Sequence, residues 1–167
     1  MLTSVMVELL QVEIDDARLA RLLQLYMHEW SGLVPMAIDA DAQFVYDELP
    51  LYADRETRAA YLLVDGSDGL TPLGFALIQR DAAACHHVEE FFVVAGARRR
   101  GARAPAPRRL FAARPGPWTL TVRPENPAGL AFWRAVAPDG EAQVDVGADG
   151  VARTRLSFVV VPGGPAV

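Results

Sequence analysis

Two glutamates, Glu89 and Glu90, stand side by side in the run CHHVEEFFVV, whose back half is wholly apolar. A carboxylate within hydrogen-bond reach of an ammonium ion, directly or through water, removes its proton and frees the lone pair for attack. Alternation along a strand predicts that Glu89 and Glu90 point to opposite faces, with His87 on the face of Glu89. The plainer alternatives are that Glu89 solvates a strand end and that Glu90 is a rim charge paired with an arginine. His86 and His87 adjoin, but no Cys, Asp or His stands at a recognisable ligand spacing from them, so no metal site is expected.

The next residues, AGARRRGARAPAPRRLFAAR, bring a different chemistry. All sixteen basic residues are arginine, and seven fall between Arg98 and Arg114, where no acidic residue interrupts them. A basic segment in a chain of net charge −5 usually faces an anion, the alternative being a solvated face. A loop that opens a helix offers unpaired N–H groups and a positive dipole end, which suit a pyrophosphate. Gly101 lets the backbone come close, and Arg98 and Arg103 can pair with phosphate oxygens. A nucleic-acid surface fits less well, because Phe111 is the one aromatic among these charges.

Pro105 and Pro107 interrupt this pattern. A proline inside a helix costs about 3 kcal/mol, but in the first turn its missing N–H is harmless. A helix starting near Ala104 survives in shortened form; one starting at Ala102 is broken at Pro107. Either way the prolines remove backbone donors from the loop, which predicts anion binding that leans on arginine charge and falls steeply with salt.

The elements that must position these residues follow from periodicity and turn signals. Strands are expected over 4–13, 61–66, 73–81, 85–94 and 117–122, with a C-terminal hairpin turning at Asp149-Gly150. Helices are expected over 15–30, around 42–52, over 108–114, and from Asn126, an N-cap followed by Pro127. The order β-α-α-β-β-β-α-β-α-β-β predicts one α+β domain around a mixed sheet, residues 1–162, with a flexible tail over 163–167. A lone cysteine, Cys85, fits a reducing compartment. The opening residues lack a basic leader and no apolar run approaches bilayer length, so a cytoplasmic protein without membrane contact is expected.

The run EEFFVVAGARRRGAR, then a short helix, a strand and ENPAGLAFWRAV, resembles the GCN5-related N-acetyltransferases. EEFFV, PEN…LAFW and LYMHEW are particularly similar to small bacterial members of unassigned substrate. The resemblance implies a mostly antiparallel mixed sheet flanked by helices on both faces, in a three-layer arrangement. It implies acetyl-CoA as acyl donor, coenzyme A as product, and no metal. The coenzyme would lie along Phe92, Val93 and Val94, the loop Arg98, Arg99, Arg100, Gly101, Ala102 and Arg103, and Asn126 and Trp133. Alignment with the spermidine/spermine acetyltransferases sets the base at Glu89, the favoured candidate; histone-type members set it at His87, and the small bacterial group at Glu90. Where many members carry a thiolate-protonating tyrosine this chain has Trp133, so water, Tyr26 or Tyr46 must serve. The acceptor, a small-molecule amine, would meet Tyr26, His28, Glu29, Trp30 and Tyr46. The resemblance also admits a homodimer, and the altered loop admits a degenerate member that binds acyl-CoA or another anion without turnover.

Overall fold

The computed structural model describes residues 5–163. Of the tail expected over 163–167, all but Gly163 lies outside the described residues, as does Ser4 at the start of the first expected strand. The chain runs β1 (Val7–Val12), α1 (Ala17–Ser31), a 3-10 turn (Leu49–Ala53), β2 (Arg58–Asp65), β3 (Pro72–Arg80) and β4 (His86–Val93). It continues through α2 (Ala95–Arg99), α3 (Pro105–Ala113), β5 (Gly116–Val122), α4 (Pro127–Val136), β6 (Glu141–Val146) and β7 (Ala152–Val160). One seven-stranded sheet orders them β1-β2-β3-β4-β5-β7-β6, antiparallel except where β4 meets β5.

Central strands covered on both faces need continuous apolar runs, and β2 and β3 supply them: Ala59–Val64 and Leu73–Ile78 are buried. On one face Leu19, Leu22 and Leu23 of α1 pack against Leu62, Phe75 and Leu77. On the other, Leu110 and Phe111 of α3 and Trp133 of α4 pack against Ala76, Ile78 and Trp118. This is the α+β domain that the order of elements predicts, in the three-layer arrangement that the resemblance implies.

Local chemistry sets the helix ends. Asp16 caps α1 by accepting the Arg18 amide at 2.9 Å, and Asn126 caps α4 by accepting the Gly129 amide at 2.8 Å. Pro105 and Pro107 both fall in the first turn of α3, so the benign alternative holds. Two features differ from expectation. The helix expected over 42–52 is only a 3-10 turn, because the Gln24 amide both donates to the Phe44 carbonyl and accepts the Phe44 N–H, at 2.9 and 2.8 Å. That side chain satisfies backbone groups a helix would otherwise have paired. The extra one-turn helix α2 also precedes the glycine loop, with Gly101 at φ +87° ending it.

Candidate active site

Strands β4 and β5 pair only at His86↔Trp118, His87↔Thr119 and Val88↔Leu120, and beyond that point they diverge. The fork leaves unpaired backbone edges and a gap at the sheet's centre. A cavity of about 760 Å³ occupies it, walled by Glu89, Glu90, Phe91, Asn126 and Trp133 and roofed by Tyr26 and Tyr46. A second cavity of about 520 Å³ adjoins it and runs to Arg98 and Arg103. Tyr26, Trp30, Phe91, Asn126 and Trp133 line both, so the two form one continuous cleft.

The glutamates do not face apart. Register along β3 jumps from Leu77↔Glu90 to Ile78↔Val88, which leaves Glu89 as the extra residue of a bulge. A bulge breaks the two-residue alternation and re-aims side chains. Both carboxylates consequently reach the same cavity, and both bear on the buried Tyr52. The expectation of opposite faces is corrected by a feature with no local sequence signature.

Glu90 is the more deeply held. The Tyr26 hydroxyl donates to its Oε2 and the Tyr46 hydroxyl to its Oε1 at 3.2 Å. Burial pushes its carboxyl up to about 7 despite those two hydrogen bonds, with Glu89 and Glu48 adding like charge. Glu89 keeps much of its residue surface in solvent, but the surrounding cavity partly desolvates its carboxyl and raises it above the ordinary range. Desolvation and the Glu90 charge hold Tyr26 and Tyr46 well above the usual tyrosine range, so both remain hydroxyl donors.

Several expected residues do not join the cleft. His87 lines neither cavity: its Nε2 meets Asp81 Oδ2 at 3.1 Å and its Nδ1 meets the Thr119 hydroxyl. The hairpin thus brings Asp81 to a histidine for which the sequence showed no partner. His28, Arg99 and Arg100 are exposed and line neither cavity, and Ala102 is buried in the core. In the glycine loop the amides of Arg100, Gly101 and Ala102 donate to carbonyls of Ala97 and Arg98, so these three are not free phosphate donors. Val94 donates its amide to Leu73 at 2.8 Å and accepts the Ala97 and Arg98 amides. Backbone alternation therefore turns Val93 and Phe91, not Val94, towards the fork. Phe91 went unnoticed in the sequence, as did Arg123 and Glu125, which line the cavity from the β5–α4 connection.

Both arginines of the second cavity are already engaged. Arg98 makes a two-pronged pair with Glu29 of α1, at 3.0 and 2.8 Å. Arg103 lies over the Phe132 ring, 4.1 Å from its centroid. An anion entering here competes with Glu29 for Arg98. Because the pair is partly exposed, its hold is modest, so Glu29→Gln should tighten binding of a pyrophosphate-bearing anion by up to about fivefold. Isothermal titration at two ionic strengths measures this, and both proteins should lose affinity steeply with salt.

No protein-family model and no curated protein matches the sequence. Solved structures do match. A variant of the spermidine N-acetyltransferase SpeG from Vibrio cholerae superposes with TM-score 0.60 at 13% identity, over 92% of this chain and 93% of that one. A chimera of V. cholerae SpeG with hSSAT gives TM-score 0.61 at 12% identity, over 92% and 95%. The NatC complex bound to Gag peptide and CoA gives TM-score 0.59 at 13% identity, over 93% and 99%. Identities this low establish architecture and not activity. With its seven-stranded, mostly antiparallel sheet and helices on both faces, the chain has the fold of the GCN5-related N-acetyltransferases.

Proposed function

We propose that the protein is an acetyl-CoA-dependent N-acetyltransferase acting on a small amine, with Glu90 as general base. The observation that carries this reading is the Glu90 carboxylate, held by two tyrosines on the wall of the β4–β5 fork and raised to about 7. A base with that proton affinity is half-ionised near neutral pH, the best compromise between being deprotonated and being basic. This moves the preferred base from Glu89 to its neighbour.

The thioester substrate would supply an activated acyl carbon: the amine nitrogen bonds to it and the bond to sulfur breaks. Arg98 and Arg103 are the residues to hold its pyrophosphate, and the free backbone edges of Phe91 and Val93 suit an amide-bearing arm along the fork. Glu89, Glu48 and Glu90 make the amine end of the cleft electronegative, which favours a cationic acceptor. Glu90 takes the ammonium proton. The departing thiolate needs a proton of its own; Tyr26 lines both cavities, and with its hydroxyl bonded to Glu90 it can give its proton to the thiolate while recovering the one Glu90 took from the amine. The spermidine N-acetyltransferase and CoA-bound neighbours support this substrate pair. The dodecameric V. cholerae enzyme favours a homo-oligomer.

A second reading, a binder of acyl-CoA without turnover, draws on the Arg98–Glu29 pair and the bonded loop amides. A thiol-release assay with a panel of mono-, di- and polyamines separates the two. Amine-dependent release of free thiol is expected. Measurable coenzyme binding with no release above hydrolysis for any amine would leave the second reading standing.

A further inference from the structure

The hairpin joining β3 to β4 gathers three side chains that the proposed reaction leaves unused. The ligand atoms of Asp81, Cys85 and His87 all lie within 4.8 Å of one another. The turn itself creates this cluster. The Asp81 N–H donates to the Cys85 carbonyl and the Ala84 N–H to the Asp81 carbonyl, each at 3.0 Å, with Ala84 in the left-handed region at φ 62°. Asp81 Oδ1 accepts the Cys85 amide at 2.9 Å, which pins the carboxylate and leaves Oδ2 to meet His87 Nε2. Cys85 and His87 are two residues apart entering β4, so both side chains leave the same face.

A further contact orients the imidazole. Thr119 sits opposite His87 in the β4–β5 register, and its hydroxyl bonds Nδ1. Protein ligands to metals are commonly arranged so: one ring nitrogen is tied to an oxygen partner and the other is presented to the ion. The donor set is equally selective. A thiol, an imidazole and a carboxylate span soft, intermediate and hard character, a combination that suits zinc and its first-row neighbours and is foreign to calcium and magnesium sites. We propose that Asp81, Cys85 and His87 form a three-ligand site for a zinc-class divalent cation, with the fourth position open to solvent or an exogenous ligand.

Tetrahedral coordination at about 2.0–2.3 Å sets ligand atoms about 3.3–3.6 Å apart, so closure on an ion needs contraction of roughly 1 Å or a little more. Rotation of the Cys85 side chain on the hairpin can supply it. Cys85 binds as thiolate and releases its proton to solvent. None of the three residues lines either cavity, so the site is separate from the acyl-transfer cleft. An ion there would tie the hairpin to the closed end of the fork, at the His87↔Thr119 pair.

The test is a Co²⁺ titration of the metal-free full chain, followed by competition with Zn²⁺. One equivalent of Co²⁺ should raise a near-ultraviolet thiolate-to-cobalt band that Zn²⁺ abolishes. Zn²⁺ should also slow alkylation of Cys85, the chain's single thiol, at least tenfold. Cys85→Ser should lose the band, and Asp81→Asn and His87→Gln should each weaken binding at least tenfold, with circular dichroism confirming that the variants fold. If Cys85→Ser does not fold, alkylation of the wild-type thiol decides the matter. No band at one equivalent, a band that persists in Cys85→Ser, or alkylation indifferent to Zn²⁺ overturns the proposal.

Discussion

Glu90→Gln should lower kcat/KM for amine acetylation by roughly 10²–10⁴-fold, the usual contribution of a positioned general base. Coenzyme A affinity should stay within about twofold, because Glu90 belongs to the amine end of the cleft and the second cavity is formed without it. For the wild type, kcat/KM should rise with pH and level off above about 7, where the carboxyl held up by burial has ionised. The residual activity of the variant should lack that inflection. Stability should move the other way. Folding raises the Glu90 pKa above its ordinary value of 4.5, so the native state prefers the neutral carboxyl. That preference is fully favourable below about 4.5 and is lost as pH climbs through about 7. The glutamine variant is neutral at every pH and keeps a carbonyl for Tyr26. At pH 8 it should be as stable as the wild type or more so, by up to about 3 kcal/mol. Inactive but no less stable is a signature that a merely structural glutamate does not give. If Glu90→Gln turns over normally while Glu89→Gln does not, the base is Glu89.

What the sequence made legible was whatever depends on near neighbours along the chain. The spacing of Leu19, Leu22 and Leu23 fixes the buried stripe of α1, and Asn126-Pro127 fixes the start of α4. The first-turn rule for proline left two outcomes open, and α3, starting at Pro105, takes the benign one and begins three residues before the expected 108. The wholly apolar back half of β4 announced a strand covered on both faces. What stayed hidden depends on pairing between distant segments. The bulge that swings Glu89 and Glu90 into one cavity exists only in the register of β4 against β3, so alternation gave the wrong face. The Arg98–Glu29 pair spans 69 residues and joins two side chains that look like a phosphate ligand and an acceptor ligand when read apart. The ligand cluster on the hairpin escaped because Asp81 reaches His87 through a turn bent by Ala84, a residue with no turn propensity of its own.

Gly74→Ala should be the most damaging single-methyl change near the cleft. Gly74 pairs with Val93, and a Cβ built there would lie 1.9 Å from the Phe92 carbonyl oxygen, 2.8 Å from its carbon and 2.9 Å from Val93 Cα. All three are backbone atoms of β4, so no side-chain rotation relieves the overlap and the strands themselves must part. Overpacking of a close-packed interior costs about 1–3 kcal/mol, and a clash with the ladder itself belongs at or beyond the upper end. A loss of about 3 kcal/mol lowers Tm by roughly 6–12 °C in a chain of this size. The displacement is also aimed at function. Phe92 and Val93 line the second cavity, and the neighbouring Val94 amide anchors the start of α2 to Leu73. Protein still folded at 20 °C should therefore bind coenzyme A at least tenfold more weakly. Gly96→Ala is the control: it lies in α2, nothing stands within 4 Å of its Cβ, and an alanine in a helix gains about 0.5–1 kcal/mol over glycine. Thermal melts and titrations of the two variants side by side give the answer. Equal stability of Gly74→Ala and Gly96→Ala would mean that the β3–β4 contact is looser than the close approach at Gly74 implies.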